Sequence, residues 1–85
     1  MSSDGVVHFY SEKPTSVKDI GQFLINIGEK LVNEGSFNLQ QDQQELSVSP
    51  SGSTKLEVKY KTKRGKHEFE IEIEWKPDSG DVIIK

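Results

Sequence analysis

The side chains with the widest chemical repertoire in this chain are two histidines, His8 and His67. An acid–base, nucleophilic or metal site would need a Ser, Cys, Asp or second ligand at a suitable spacing, and neither histidine has one. There is no cysteine, which removes thiolate chemistry and disulfides. The glycines at positions 35, 52 and 65 are isolated and form no phosphate-binding loop. We therefore expect a protein that is not an enzyme and that has no cofactor, no metal site and no small-molecule ligand.

Four glutamates occupy alternate positions between His67 and Trp75, with apolar residues between them. A period of two is typical of a strand with one apolar and one solvated face. Residues 55–63 alternate in the same way, with lysines on the polar side. We interpret the glutamates as half of a ladder of Lys–Glu pairs and not as a catalytic or metal site. Trp75 has the phase of the apolar residues, so we expect it in the core.

The second chemical feature is a dense basic run without an intervening acid. It contains Lys59, Lys61, Lys63, Arg64 and Lys66. A basic hairpin can follow a phosphate backbone, so polyanion or nucleic-acid binding is one candidate function. The competing interpretation pairs these lysines with the facing glutamates and leaves chiefly Arg64 and Lys66 free, and the sequence leaves this question open.

A third candidate is a surface for a protein partner or for self-association. Its residues are Tyr10, Val82, Ile83 and Ile84. An apolar tail and an outward aromatic favour contact with a protein, although the tail could instead close the sheet within one chain. We favour a small non-catalytic binding module for a protein partner or for itself, with polyanion binding as the alternative.

The length and charge of the chain limit the classes of protein to which it can belong. Eighty-five residues with a formal charge of −3 indicate one small domain and argue against a generic nucleic-acid binder. No apolar run reaches the roughly 18 residues that span a bilayer, and the N-terminus lacks the features of a signal peptide. We expect a cytoplasmic protein without a membrane partner.

One helix is strongly indicated. Ser16 followed by Asp19 resembles a capping box, apolar residues then recur at steps of three and four, and Gly35 is a stop signal. The pattern predicts an amphipathic helix that ends at Glu34. Gly21 and Gly28 fall within its apolar arc, and we interpret them as positions of close approach to the sheet.

Strands are predicted on both sides of this helix. They cover Val6–Tyr10, short pieces around a glutamine-rich loop at residues 40–45, and a hairpin of residues 55–63 with 67–75. A loop at Gly65-Lys66 would place Lys61 opposite Glu70 and Tyr60 opposite Ile71. A loop at Arg64-Gly65 would change each pair but keep the same faces.

These pieces together resemble the amphi-Trp domain family, a small domain of unknown function. The similarity spans about residues 6–76 and is carried by Val7-His-Phe-Tyr-Ser-Glu, the helix with its small residues at 21 and 28, Leu46-Ser-Val-Ser-Pro50, Leu56-Glu-Val-Lys and Glu68-Phe-Glu-Ile-Glu-Ile-Glu-Trp75. The resemblance implies a fold and brings no established activity.

The fold that we predict is α+β, with one amphipathic helix packed on a four- to five-stranded, mainly antiparallel sheet in the order β-α-β-β-β. Residues 1–5 are expected to be disordered, residues 6–76 to form the domain, and residues 77–85 to form a turn and a further edge strand. The predicted core contains Val7, Phe9, Val17, Ile20, Leu24, Ile27, Leu31, Leu46, Val48, Leu56, Val58, Tyr60, Phe69, Ile71, Ile73 and Trp75.

Overall fold

A computed structural model describes residues 5–77. Its elements in chain order are α1 (Val17–Glu34), β1 (Phe37–Gln41), β2 (Gln44–Val48), β3 (Ser53–Lys63) and β4 (Lys66–Lys76). β1 pairs with β2 and β3 pairs with β4, both antiparallel. The α+β class is confirmed. The expectations for residues 1–4 and for the tail after Pro77 lie outside the described residues.

The helix begins and ends where its capping residues predict. The Ser16 side chain accepts a hydrogen bond from the Asp19 backbone N–H at 3.1 Å. Gly35 has a φ of 73°, and its N–H donates to the carbonyls of Leu31 and Lys30. These bonds satisfy backbone groups that a helix end otherwise leaves without partners.

The predicted first strand at Val6–Tyr10 is wrong. Among the described residues the helix comes first, and residues 5–16 belong to no strand. The Gln44 side chain donates to the His8 carbonyl at 2.8 Å. A strand needs a neighbouring backbone to form its ladder, and a single side-chain donor does not supply one.

The glutamine-rich stretch is a tighter hairpin than the sequence predicts. Only Asp42 and Gln43 form the turn between β1 and β2, and Asp42 has a φ of 53°. Aspartate tolerates this left-handed conformation better than most residues. Leu39 pairs with Leu46 on one face, and both are partly buried. In this first unit of the chain, which ends at Ser49, α1 contacts β1.

The second unit begins at Pro50 and contains the β3–β4 hairpin. Its loop is Arg64-Gly65, so the predicted loop at Gly65-Lys66 is wrong and the alternative is correct. Arg64 and Gly65 have φ values of 55° and 80°. Positive φ at both central residues is the requirement of a type I′ turn, whose twist matches that of the flanking strands. Each cross-strand pair therefore differs from the predicted one, while the faces are the same.

The predicted single sheet is also wrong, because the described strands form two separate two-stranded sheets. Alternation in a sequence specifies which face of a hairpin is apolar, but it does not specify which hairpin lies beside which. No described residue is buried, so the predicted closed core is not confirmed.

The close approach predicted at the two helix glycines is not confirmed. A Cβ placed on Gly21 or Gly28 would meet no atom within 4 Å. Both positions lie inside α1, where glycine costs about 1 kcal/mol of helix stability relative to alanine.

We expect Gly21→Ala and Gly28→Ala each to stabilise the protein by about 1 kcal/mol, because they restrict the unfolded chain and favour the helix. For a domain of this size the melting temperature should rise by about 4–8 °C per substitution, measured by far-UV circular dichroism. Gly35→Ala is the matched control and should lower it, because Gly35 has positive φ. A fall for either helix variant would contradict the open space at these positions.

Candidate functional site

The basic candidate residues gather towards the loop end of the β3–β4 hairpin. Four of them, Lys61, Lys63, Arg64 and Lys66, line a surface depression together with Glu68. Lys59 lies further along β3, opposite Glu70. The two-residue loop brings the cations of both strands together. We call the depression lined by Lys61, Lys63, Arg64, Lys66 and Glu68 the basic tip.

Ion pairs neutralise part of this charge. Lys59 Nζ lies 3.7 Å from Glu70 Oε1, and Glu68 forms ion pairs with both Lys61 at 3.5 Å and Lys66 at 3.6 Å. Exposed pairs of this kind contribute about 0–1 kcal/mol each, because water screens them. The Lys–Glu ladder predicted from the sequence therefore exists, with different partners.

Two cations of the basic tip are not neutralised by these ion pairs. Within residues 5–77 neither Lys63 nor Arg64 forms an ion pair with a carboxylate. Lys63 is opposite Lys66 across the hairpin, so the terminal cross-strand pair is itself basic. The prediction that Arg64 and Lys66 would be left free is thus correct for Arg64 and wrong for Lys66, which pairs with Glu68. Lys63 is the second cation without an ion pair to a described carboxylate, so positive charge is left at the tip.

The ladder also contains a pair of facing glutamates that the sequence interpretation missed. Glu57 lies directly opposite Glu72. A hydrogen bond between these carboxyl groups raises the pKa of Glu72, and the charges of Glu74, Glu57 and Glu70 together with desolvation act in the same direction. The predicted loop at Gly65-Lys66, which places Lys61 opposite Glu70, would also have placed Lys59 opposite Glu72. The Arg64-Gly65 dipeptide was the available signal, since a loop there pairs the two acids.

An aromatic pair lies beside the basic tip on the other face of the hairpin. The Tyr60 and His67 rings stack with centroids 6.0 Å apart and an interplanar angle of 22°, and Tyr60 Oη lies 2.7 Å from His67 Nδ1. Tyr60 is also opposite Phe69, and both side chains are 63% exposed. The sequence interpretation missed this pair, because it placed Tyr60 opposite Ile71.

The same face continues as an apolar strip along the hairpin. It consists of Leu56, Val58, Tyr60, Phe69, Ile71 and Ile73, and we call it the apolar face. Each of these side chains is exposed, from 37% for Ile73 to 63% for Phe69. Trp75 is on this face opposite Thr54 and is partly buried. A two-stranded sheet has no second layer of its own to cover such a face.

The remaining candidate residues are not part of this cluster. Tyr10 is 69% exposed in the first unit, and its hydroxyl donates a hydrogen bond to Glu12 that raises the pKa of Tyr10. His8 is in the first unit and His67 is in the second. Val82, Ile83 and Ile84 lie outside the described residues.

Two further properties hold for the part of the chain that the structure describes. No group of three or more His, Cys, Asp or Glu side chains there is arranged to hold a metal ion. None of its helical sequence has the length and apolar character needed to cross a membrane.

A family model for the Amphi-Trp domain matches residues 1–82, nearly the whole chain. The chain belongs to the Amphi-Trp domain family. No curated protein and no solved structure matches this Amphi-Trp domain. The resemblance noted in the sequence is therefore confirmed.

The pair of facing glutamates predicts a pH dependence for this Amphi-Trp domain. The pKa of Glu72 in the folded protein lies above its ordinary value of 4.5. The folded state therefore binds the proton more tightly, and stability from this group is present below pH 4.5 and is lost as the pH rises through the folded pKa. We expect Glu72→Gln to remove this loss, so the variant should gain melting temperature over the wild type at neutral pH.

Melting curves from roughly pH 4 to pH 8 measure this difference. Glu68→Gln is the matched control, since Glu68 pairs with Lys61 at 3.5 Å and with Lys66 at 3.6 Å, and its charge is not among those that raise the pKa of Glu72. Equal curves for wild type and Glu72→Gln at every pH would contradict the repulsion.

Proposed function

We propose that this Amphi-Trp domain is a small non-catalytic binding module that associates with a protein partner or with a second copy of itself. The observation that carries this proposal is the apolar face. Six apolar or aromatic side chains are exposed side by side on one face of a single hairpin, next to a face occupied by ion pairs. Contiguous exposed apolar surface of this kind marks protein interaction sites.

The size of the apolar face sets the expected affinity. Complete burial of one aliphatic or aromatic side chain contributes about 1.5–3 kcal/mol. Six side chains that are about half exposed would contribute roughly 5–9 kcal/mol in total. Association costs about 4–15 kcal/mol in lost freedom of motion. The largest difference between these ranges is about 5 kcal/mol, so we expect weak, reversible association with a Kd of about 0.2 mM or higher.

Other exposed parts of the chain also offer contacts to a partner. The sequence of α1 is amphipathic, and its apolar residues Ile20 and Leu24 are exposed as well. Tyr10 offers a separate exposed aromatic ring. Within residues 5–77, β3 and β4 pair only with each other, so their outer edges carry backbone groups that another strand could pair with.

The test uses two substitutions at adjacent positions on opposite faces of β3. Val58→Thr places a hydroxyl on the apolar face while keeping a β-branched side chain, and Lys59→Thr is the matched control on the ion-pair face. Sedimentation from about 10 µM to about 1 mM should show association of the wild type and the control that persists at high salt, and weaker association of Val58→Thr.

For a partner other than itself, cross-linking followed by recovery of the complex should show the same dependence. The wild type and Lys59→Thr would retain the partner, and Val58→Thr would lose it. Monomers at every concentration, together with no partner that distinguishes the two variants, would refute the proposal. A variant lacking residues 81–85 measures the contribution of the tail.

The basic tip supports a second candidate function, which is polyanion or nucleic-acid binding through Lys59, Lys61, Lys63, Arg64 and Lys66. The specific observation is the depression lined by four cations and one carboxylate. Lys63 and Arg64 make no ion pair with a described carboxylate, so a phosphate could bind them without first displacing one. Each phosphate contact would add affinity that depends on salt.

We expect a short mixed-sequence nucleic acid to shift amide NMR signals of residues 59–68 at low salt, and these shifts should reverse at moderate salt. With two to four contacts, the slope of log K against log salt should be roughly −1.5 to −3. Lys63→Gln with Arg64→Asn should weaken binding, although asparagine at a positive φ favours the type I′ turn and preserves the hairpin. Lys13→Gln with Lys18→Gln removes the same charge elsewhere and should have little effect. Unchanged spectra at low salt would exclude this function.

A further inference from the structure

We infer that the loop end of the β3–β4 hairpin recognises single-stranded nucleic acid, with phosphates on the basic tip and an unpaired base on the Tyr60–His67 stack. This inference rests on the second proposed function, polyanion binding, and names the class of ligand. It uses an observation that the charge argument does not need, namely the exposed aromatic pair.

The aromatic pair lies close to the loop in the pairing of the hairpin. The cross-strand pairs next to the turn are Lys63 with Lys66, then Thr62 with His67, then Lys61 with Glu68 and Tyr60 with Phe69. Successive pairs alternate between the two faces of a hairpin. Cations and aromatic rings therefore lie within four pairs of the turn on opposite faces, and the two faces meet at Arg64 and Gly65.

The Tyr60 ring is exposed and is also held by contacts with His67. Tyr60 is 63% exposed although it stacks on His67 and its hydroxyl lies within hydrogen-bonding distance of Nδ1. These contacts hold the ring in one orientation. A ring that is oriented in advance loses little freedom when a base stacks on it, and its outer surface is available for that base.

A single-stranded nucleic acid offers both phosphates and unpaired bases, which match the cations and the aromatic rings of this hairpin. Proteins that bind single strands combine cations along the backbone with aromatic rings on which bases stack. A duplex keeps its bases stacked on each other, and polyphosphate has no bases, so neither can use the Tyr60–His67 pair. Glu68 pairs with both Lys61 and Lys66 and so reduces the net positive charge that the basic tip offers to phosphates.

The experiment compares three probes on the full chain by fluorescence anisotropy at low salt: an oligothymidylate, a duplex of the same length, and inorganic polyphosphate of matched charge. Tyr60→Leu removes the ring, and Tyr10→Leu is the matched control at an exposed tyrosine in the other unit. We expect Tyr60→Leu to weaken binding of the single strand by roughly five- to a hundredfold, the loss associated with one base stack. Binding of polyphosphate and of duplex should not change, and Tyr60→Phe should restore binding of the single strand.

A measurement on the wild type keeps the test independent of the folding of these variants. Ring protons of Tyr60 and His67 should move upfield when the oligothymidylate is added and should not do so with polyphosphate. If all three probes bind but Tyr60→Leu has no selective effect and the ring protons do not move, the inference is wrong and polyanion binding stands. If no probe binds, polyanion binding itself is wrong.

Discussion

Two residues with positive φ, Arg64 and Gly65, set the pairing of the long hairpin, because a two-residue type I′ turn allows only one register of the strands that it connects. Every notable feature of the second unit follows from that register. It places Glu57 opposite Glu72, brings Tyr60 within reach of His67, and makes Lys63 and Lys66 the terminal pair. A loop shifted by one residue would instead have placed Lys59 opposite Glu72 and Glu57 opposite Glu74.

The charges of the hairpin are therefore distributed unevenly along one face. The middle of the ladder contains a carboxyl pair that repels, and the loop end contains cations for which there are too few facing carboxylates. A chain with a formal charge of −3 can in this way carry a locally basic end. Net charge describes long-range attraction, whereas a contact with a ligand depends on the few groups that meet it.

The opposite face of the hairpin carries exposed apolar side chains. A hairpin pairs the backbone groups that its two strands present to each other, but it cannot cover its own apolar side chains. Exposure of the apolar face is the direct consequence, and contact with another surface is the usual way in which proteins cover such a face. The binding module that we propose follows from this requirement and needs no catalytic group.

Local structure was determined by the sequence itself. The limits of α1 follow from the side chain of Ser16 and the conformational freedom of Gly35, and the faces of β3 and β4 follow from alternation, because these effects act over a few neighbouring residues. The family also followed from the order and spacing of such local pieces. Only the tertiary structure decided the register at Arg64-Gly65, the absence of a strand at Val6–Tyr10 and the separation of the strands into two sheets. These features depend on which backbone lies beside which, and two registers or two strand orders can present the same alternation of polar and apolar side chains.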